Sequence, residues 1–346
     1  MAAAPAPDEF AAKPCRLGVI VINYRTPDLV EQCVRSMLDD LAALDARIVI
    51  VDNASGDGSV DALARWRAGL GEGAPVDLIA SPENTGFSGG NNIGFNALDA
   101  EYYLLINSDA LVRPGALAAL LAAMEARPRA GVVAPRLEDR DGTAQISAFR
   151  HHTPLSEFIA GASLSAVTRL MKAHDVPVPV SDTAMEADWV SFACVMIRRA
   201  AVDAAGLMDD GFFMYYEDAD YCRAVRRAGF EVVYDPSARV VHLRGGSSPV
   251  KKRMAQKKRP PAYYYASRTR YFRKSFGPAG LFLANAMWMA GRALGCLRLV
   301  AGKAPPPVCE GQGRDIWMNW RTPLRPWRAP ARPVAAGKTG GDHAAS

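Results

Sequence analysis

The chain lacks several features that would otherwise fix its class. Its six cysteines (Cys15, Cys33, Cys194, Cys222, Cys296 and Cys309) form no CxxC pair and no compact framework. That spacing excludes a zinc ribbon or a disulfide scaffold and favours buried thiols in a reducing compartment. Residues 1–14 are Ala/Pro-rich, without a basic stretch leading into an apolar core, and read as a disordered leader rather than a secretory signal. No Asp or Glu stands between Pro236 and Cys309, whereas Lys251, Lys252, Arg253, Lys257, Lys258, Arg259, Arg268, Arg270, Arg273 and Lys274 all fall there. Such a stretch calls for an anionic partner. An uninterrupted apolar run of spanning length is also missing: Leu281 to Val300 carries Arg292 and Arg298, whereas a membrane-crossing helix needs about 20 apolar residues with few charges.

What is present is an α/β pattern. At 346 residues and a net charge of +5 the chain can bury a large core in one or two domains. Leu17 to Ile22 is a continuous apolar run ending in Asn23-Tyr24, and Ile48 to Val51 ends in Asp52-Asn53; both read as buried strands. Between them, Pro27 to Leu44 carries apolar residues at helical spacing, with proline near the first turn. A third run, Tyr102 to Ile106, breaks into Asn107-Ser108-Asp109. Crossovers between parallel strands are nearly always right-handed, so Asn23, Asp52 and Asp109 are expected along one sheet edge, where ligands of open α/β sheets bind. A carboxylate there suits a hard cation held against a phosphate; an Asp that merely turns the chain before Pro114 is the alternative.

The stretch Asn84 to Phe95 holds Gly86, Gly89, Gly90 and Gly94. Glycines let backbone N–H groups approach a phosphate, and Asn91 and Asn92 are placed to open a helix with its N-terminus towards an anion. It does not follow the first strand directly, and no GK[ST] follows it, so it is neither a dinucleotide fingerprint nor a P-loop. Downstream, Glu217 and Asp218 open an apparent helix running to Arg227, with Gly229 as its stop. Acids at that position complement the helix dipole and should stay ionised at neutral pH. Neighbouring helical side chains point in different directions, so the two acids are not expected to face one acceptor. His242 ends a strand-like run before the Arg244-Gly245-Gly246-Ser247-Ser248 loop. It suits either a transition-metal ligand or a local backbone contact. Trp189, on an apolar strand, reads as core, with stacking on a sugar ring as the alternative.

Together, VIVINYRTPDLV, IVIVDNASGDGS, NTGFSGGNNIGF, LLINSDALV and FFMYYEDADYCRAVRRAGF resemble glycosyltransferase family 2, in particular its bacterial rhamnosyltransferase-like branch, over roughly Leu17 to Gly246. The resemblance implies a GT-A fold, with a Rossmann-like mixed sheet flanked by helices. It also implies a nucleotide-diphosphate sugar donor, a divalent metal (Mg²⁺ or Mn²⁺), and inverting transfer to an acceptor hydroxyl. Carried over by position, Asn23 and Tyr24 border the base, and Asp52 and Asn53 contact base and ribose. Asn84, Gly86, Gly89, Gly90 and Asn92 line the donor site, and Asn107 sits by the ribose. Asp109 binds metal, with His242 near the diphosphate, and Asp218 is the catalytic base. Asn107-Ser108-Asp109 has one carboxylate fewer than the DxD pattern of many relatives, and Phe192 stands where a glycine usually precedes the acceptor-side Ala193.

Four segments are expected: the leader 1–14, a GT-A domain over 15–248, a basic amphipathic helical extension over 249–303 contacting an anionic membrane surface, and a mostly disordered Pro/Ala/Gly-rich tail over 304–346. Packing of the extension on the catalytic domain is the alternative to membrane contact. Nucleic acid is excluded as a partner because no binding module accompanies the basic tract. The expected function is transfer of L-rhamnose from dTDP-L-rhamnose to a glycan or polyprenyl-linked acceptor of the cell envelope, in the cytoplasm at the inner face of the plasma membrane. Rivals are a galactofuranosyl or N-acetylhexosaminyl donor, a nucleotidyltransferase, and a non-catalytic carbohydrate-binding scaffold.

Overall fold

The structure is a computed structural model that describes residues 14–71, 73–243 and 250–329. Residues 1–13 of the leader and the loop after Leu243 lie outside the described residues. In its first half, strands β1 (Cys15–Asn23), β2 (Ala46–Asp52), β3 (Val76–Ala80) and β4 (Ala100–Asn107) alternate with helices α1 (Pro27–Arg35), α2 (Leu38–Ala42), α3 (Ser59–Ala68) and α4 (Gly86–Ala97). The predicted helix over Pro27–Leu44 is thus two helices. Its break is at Ser36, whose hydroxyl donates to the Cys33 carbonyl and accepts from the Val112 N–H, a side-chain alternative to the helical ladder.

The second half adds β5 (Ala110–Val112), α5 (Ala116–Glu125), β6 (Ala130–Glu138), β7 (Ala148–Phe149), α6 (Pro154–Ala162) and α7 (Ser165–Leu170). It continues with β8 (Met185–Glu186), β9 (Trp189–Val190), β10 (Cys194–Arg198), α8 (Arg199–Ala205), α9 (Glu217–Arg227) and β11 (Glu231–His242). The main sheet runs β3-β2-β1-β4-β10-β6-β11-β5. Strands β3, β2, β1 and β4 are mutually parallel, β10 runs antiparallel between β4 and β6, and β11 is parallel to β6. Pairing Asn23 with Asp52, and Ile22 with Asn107, sets the polar strand exits side by side at one edge.

The glycine-rich stretch is helix α4 itself, not a loop preceding a helix. A Cβ on Gly94 would lie 2.4 Å from the Ile20 side chain, and one on Gly90 would lie 3.0 Å from Ile22. These glycines therefore let α4 lie directly on β1. Only Gly86, at φ 73°, needs a left-handed backbone, and a Cβ there would meet the Phe213 carbonyl at 2.2 Å.

The C-terminal part comprises α10 (Val250–Ala255), α11 (Ala262–Cys296), kinked at Gly277-Pro278, and α12 (Gln312–Asp315). α11 packs on α6 through small residues: a Cβ on Gly161 would strike the Trp288 carbonyl at 2.1 Å, and one on Gly291 the Phe158 carbonyl at 2.1 Å. Much of the basic tract finds its anions inside the protein. Arg268, buried, pairs with Glu157 at 2.8 Å, Arg270 with Asp209 at 2.6 Å, and Lys274 with Asp209 and Asp220 at 2.6 Å each. Residues 304–329 are likewise packed rather than loose, with Cys309, Asp315 and Ile316 buried and Thr269 donating to the Met318 carbonyl. Among the described residues no helix is long and apolar enough to cross a membrane.

Candidate active site

A cleft at the exits of β1, β2 and β4 has two adjoining chambers. The first, about 340 Å³, is lined by Ile22, Tyr24, Asn53, Asn84, Gly86, Phe87, Asn107, Ser108, Phe213, Met214, Tyr263, Trp327 and Ala329. The second, about 230 Å³, is lined by Phe87, Asn107, Asp109, Phe149, Trp189, Ser191, Phe192, Ala193, Met214, Tyr215, Glu217, Asp218, His242 and Lys251. Phe87, Asn107 and Met214 belong to both, so the two chambers share a wall.

Of the residues predicted from sequence, Tyr24, Asn53, Asn84, Gly86 and Asn107 line the first chamber, and Asp109, Asp218 and His242 line the second. Asn53 is fixed by donating to the Gly86 carbonyl and accepting from Thr85. Five expected donor contacts are placed elsewhere. Asn23 and Asp52 are buried and serve each other: Asn23 Nδ2 donates to Asp52 Oδ2 at 2.6 Å, while Asp52 Oδ1 accepts the Ser55 N–H. They brace the turn beneath the chamber, because buried polar groups must find partners. Gly89 and Gly90 are internal to α4, and Asn92 exchanges two hydrogen bonds with the Met208 backbone.

Asp109 and His242 meet where β5 and β11 pair in register, His242 opposite Ala110. Their Oδ1 and Nε2 atoms are 3.5 Å apart, and both side chains are buried. Among the described residues no group of three or more His, Cys, Asp or Glu is arranged to hold a metal ion. The donor set still fits a divalent cation of the kind held by one or two protein ligands while substrate phosphates and water complete its shell.

Glu217 and Asp218 both line the second chamber, contrary to the expectation that only one would. The reason is the turn before α9. Tyr215 and Tyr216 adopt left-handed backbone at φ 72° and 69°, a strained conformation for bulky residues that re-aims the helix start. Their environments set them apart. Burial pushes the Glu217 carboxyl well above the usual carboxylate range, with the neighbouring Asp218 charge adding to the effect. Its Oε2 has no hydrogen-bond partner among the described residues. Burial also pushes Asp218 up, to about 6, against the opposing pull of the Ala219 N–H, which donates to Oδ1 at 2.9 Å, and of the Lys251 charge. The helix terminus therefore does not hold Asp218 at an ordinary value, since desolvation outweighs it.

Of the remaining walls, Trp189 and Phe192 were marked in the sequence but not as site residues. Trp189 is core and lining at once, stacked on Phe149 at 4.1 Å with its indole N–H on the Arg150 carbonyl. Phe192 closes part of the second chamber and packs edge-on against Tyr221. Tyr263 and Trp327 come from the segments read as membrane helix and loose tail. Their only sequence signal was aromatic residues among cations.

The Glycosyl transferase family 2 model matches residues 18–184. An N-acetylglucosaminyl-diphospho-decaprenol L-rhamnosyltransferase from Mycobacterium tuberculosis is 28% identical over 251 residues, covering 67% of this chain and 77% of that one. The crystal structure of GalNAc-T7 with UDP, GalNAc and Mn²⁺ superposes with a TM-score of 0.53 at 13% identity, over 85% of this chain; the chain spans 59% of that structure. The mannosyltransferase PcManGT from Pyrobaculum calidifontis, in complex with GDP-Man and Mn²⁺, superposes with a TM-score of 0.50 at 17% identity, over 92% of this chain and 84% of that one. These structures share the GT-A architecture, a mixed sheet flanked by helices.

Proposed function

We propose that this chain, whose residues 18–184 match the Glycosyl transferase family 2 model, transfers L-rhamnose from dTDP-L-rhamnose to a hydroxyl of a lipid-linked glycan of the cell envelope, inverting the anomeric carbon. The observation that carries the proposal is one cavity lined by Asp109, His242 and Asp218 and adjoining a second chamber walled by Tyr24, Asn53 and Asn107. The rhamnosyl donor and lipid-diphosphate acceptor are supported by the named activity of the mycobacterial relative.

In this reading the nucleoside lies in the first chamber, against Tyr24 and Asn53, and the sugar crosses Asn107 into the second. The acceptor enters past Trp189 and Phe192. Asp218, ionised above about pH 6, takes the hydroxyl proton as the acceptor oxygen bonds to the anomeric carbon. The bond from that carbon to the diphosphate oxygen breaks on the opposite face, releasing nucleoside diphosphate. Glu217, whose carboxyl burial raises well above the usual carboxylate range, is in this reading the acid that keeps its proton and donates a hydrogen bond to a sugar oxygen, so the two acids divide the work. Asp109 and His242 are the residues that would hold a Mg²⁺ or Mn²⁺ ion, which when bound balances charge growing on the leaving diphosphate. The placement proposed for the enzyme is the cytoplasmic membrane surface, with the GT-A domain over 15–248 and the helical extension behind it.

Replacing Asp218 tests the assignment. Asp218→Asn should lower turnover by at least a thousandfold while leaving the donor dissociation constant, read by calorimetry, within about threefold; effective bases contribute 10²–10⁴-fold. Appreciable turnover in that variant would remove Asp218 from the role.

A further inference from the structure

Sharing no lining residue with the cleft is a third cavity of about 490 Å³ between the kinked middle of α11 and the segment after α12. Its walls are apolar, with Pro278, Leu281, Phe282, Trp317, Trp320 and Leu324. Its polar lining is Arg273, Arg321 and Arg325, together with Asn285 and Thr322, and holds no acid. Among the described residues none of these arginines has a carboxylate within ion-pair distance, unlike Arg268, Arg270 and Lys274 on the same helix. Asn285 is fully buried, and its Oδ1 is fixed as acceptor of the Arg268 guanidinium at 2.7 Å. Its amide Nδ2 is thereby left as a buried donor without a partner among the described residues. A buried donor of this kind is costly to leave unmet, and three guanidinium groups in the same lining, none with a carboxylate partner among the described residues, select an acceptor-rich anion.

We infer that this cavity binds the phosphate headgroup of an anionic membrane phospholipid, such as phosphatidylglycerol. Two features favour a lipid over free phosphate. The rim is apolar and exposed, with Phe282 at 63%, Trp320 at 53% and Leu324 at 46%, and aromatic residues suit the boundary between headgroups and chains. Leu283 and Met289, also exposed, continue this rim along α11. The volume lies within the range of small-molecule sites, about 300–1,000 Å³. The inference deepens the proposed membrane placement by naming the site and the lipid, and it does not depend on the transfer chemistry.

The test is co-sedimentation of the full chain with phosphatidylcholine vesicles that contain or lack phosphatidylglycerol, in the presence and absence of inorganic phosphate. Binding should require phosphatidylglycerol and weaken about tenfold in each of Arg273→Gln, Arg321→Gln and Arg325→Gln, as loss of a charge-assisted contact does. Brominated acyl chains should quench tryptophan fluorescence, and Trp320→Phe should remove part of that quenching. A triple Lys252→Gln/Lys257→Gln/Lys258→Gln variant should retain the lipid preference. If that triple variant loses binding while the arginine variants keep it, the membrane placement survives but the cavity assignment falls. If the wild-type chain ignores vesicles, both fall. Binding to inorganic phosphate alone would overturn the lipid assignment. Turnover on a soluble acceptor reads the transfer proposal separately.

Discussion

The sharpest consequence of the site concerns proton balance at Asp218. An aspartate at its ordinary value of 3.8 would be about nine-tenths ionised at pH 5, whereas one at about 6 is ionised to only about a tenth. A base works deprotonated. The kcat/KM of the free enzyme should therefore be level above about pH 7 and fall through a midpoint near 6, reaching about a tenth of its plateau at pH 5. Lys251 holds this value down, so Lys251→Met should move the midpoint upward, whereas loss of a remote solubilising charge would leave it in place. The stability corollary has a definite sign. A carboxyl whose folded value is raised contributes stability that is fully present below its unfolded value of about 4 and lost as pH rises through about 6. At pH 7.5 Asp218→Asn should therefore melt no lower than the parent, which separates lost chemistry from lost fold. Initial rates in a constant-ionic-strength buffer series would measure the profile. A flat kcat/KM from pH 7 to 5, or a midpoint driven down by Lys251→Met, would refute the reasoning.

Asp109→Ala and His242→Ala should each raise the Mn²⁺ concentration for half-maximal rate by about 10-fold or more; unchanged metal dependence in His242→Ala would leave that residue a structural partner of Asp109. Trp327→Ala should raise the KM for donor several-fold with a smaller change in kcat, checked by steady-state kinetics, because Trp327 walls the first chamber rather than the second. Glu157→Ala strands a buried Arg268 charge and should cost about 3–5 kcal/mol in urea unfolding, while Glu157→Leu/Arg268→Met recovers most of it. Gly291→Leu should unseat α11 from α6, since the nearest obstacle to a side chain is the Phe158 carbonyl at 2.1 Å; faster proteolysis within 262–296 would report it.

What could be read from the sequence followed range. The strands Leu17–Ile22, Ile48–Val51 and Tyr102–Ile106 are continuous apolar runs, and their polar exits fall together because right-handed crossovers leave no other parallel arrangement. The insertion of β10 between β4 and β6 was not legible, being a pairing over some ninety residues that no local pattern encodes. The glycine-rich stretch misled for a physical reason: small residues serve close helix–sheet packing as well as phosphate loops, and only the neighbour, Ile20 under Gly94, decides between them. Asn23 and Asp52 have the residue types of ligand contacts, but each spends its hydrogen bonds on the other and on Ser55. The basic tract looked unpartnered because its acids, Glu157, Asp209 and Asp220, lie from 54 to 111 positions away. For the same reason Trp327, in a stretch of loop-like composition, gave no sign that it would face the cleft.

The central claim is that a sugar leaves its nucleoside diphosphate within this cleft for an acceptor hydroxyl. The direct measurement is to incubate the chain with dTDP-L-rhamnose and a polyprenyl-diphosphate-linked N-acetylglucosamine acceptor and to quantify every phosphorylated product together with the glycosylated lipid. The expected result is dTDP and rhamnosylated acceptor in equal amounts, with inverted anomeric configuration. Release of pyrophosphate, or dTDP with free rhamnose and no extended acceptor, would contradict it.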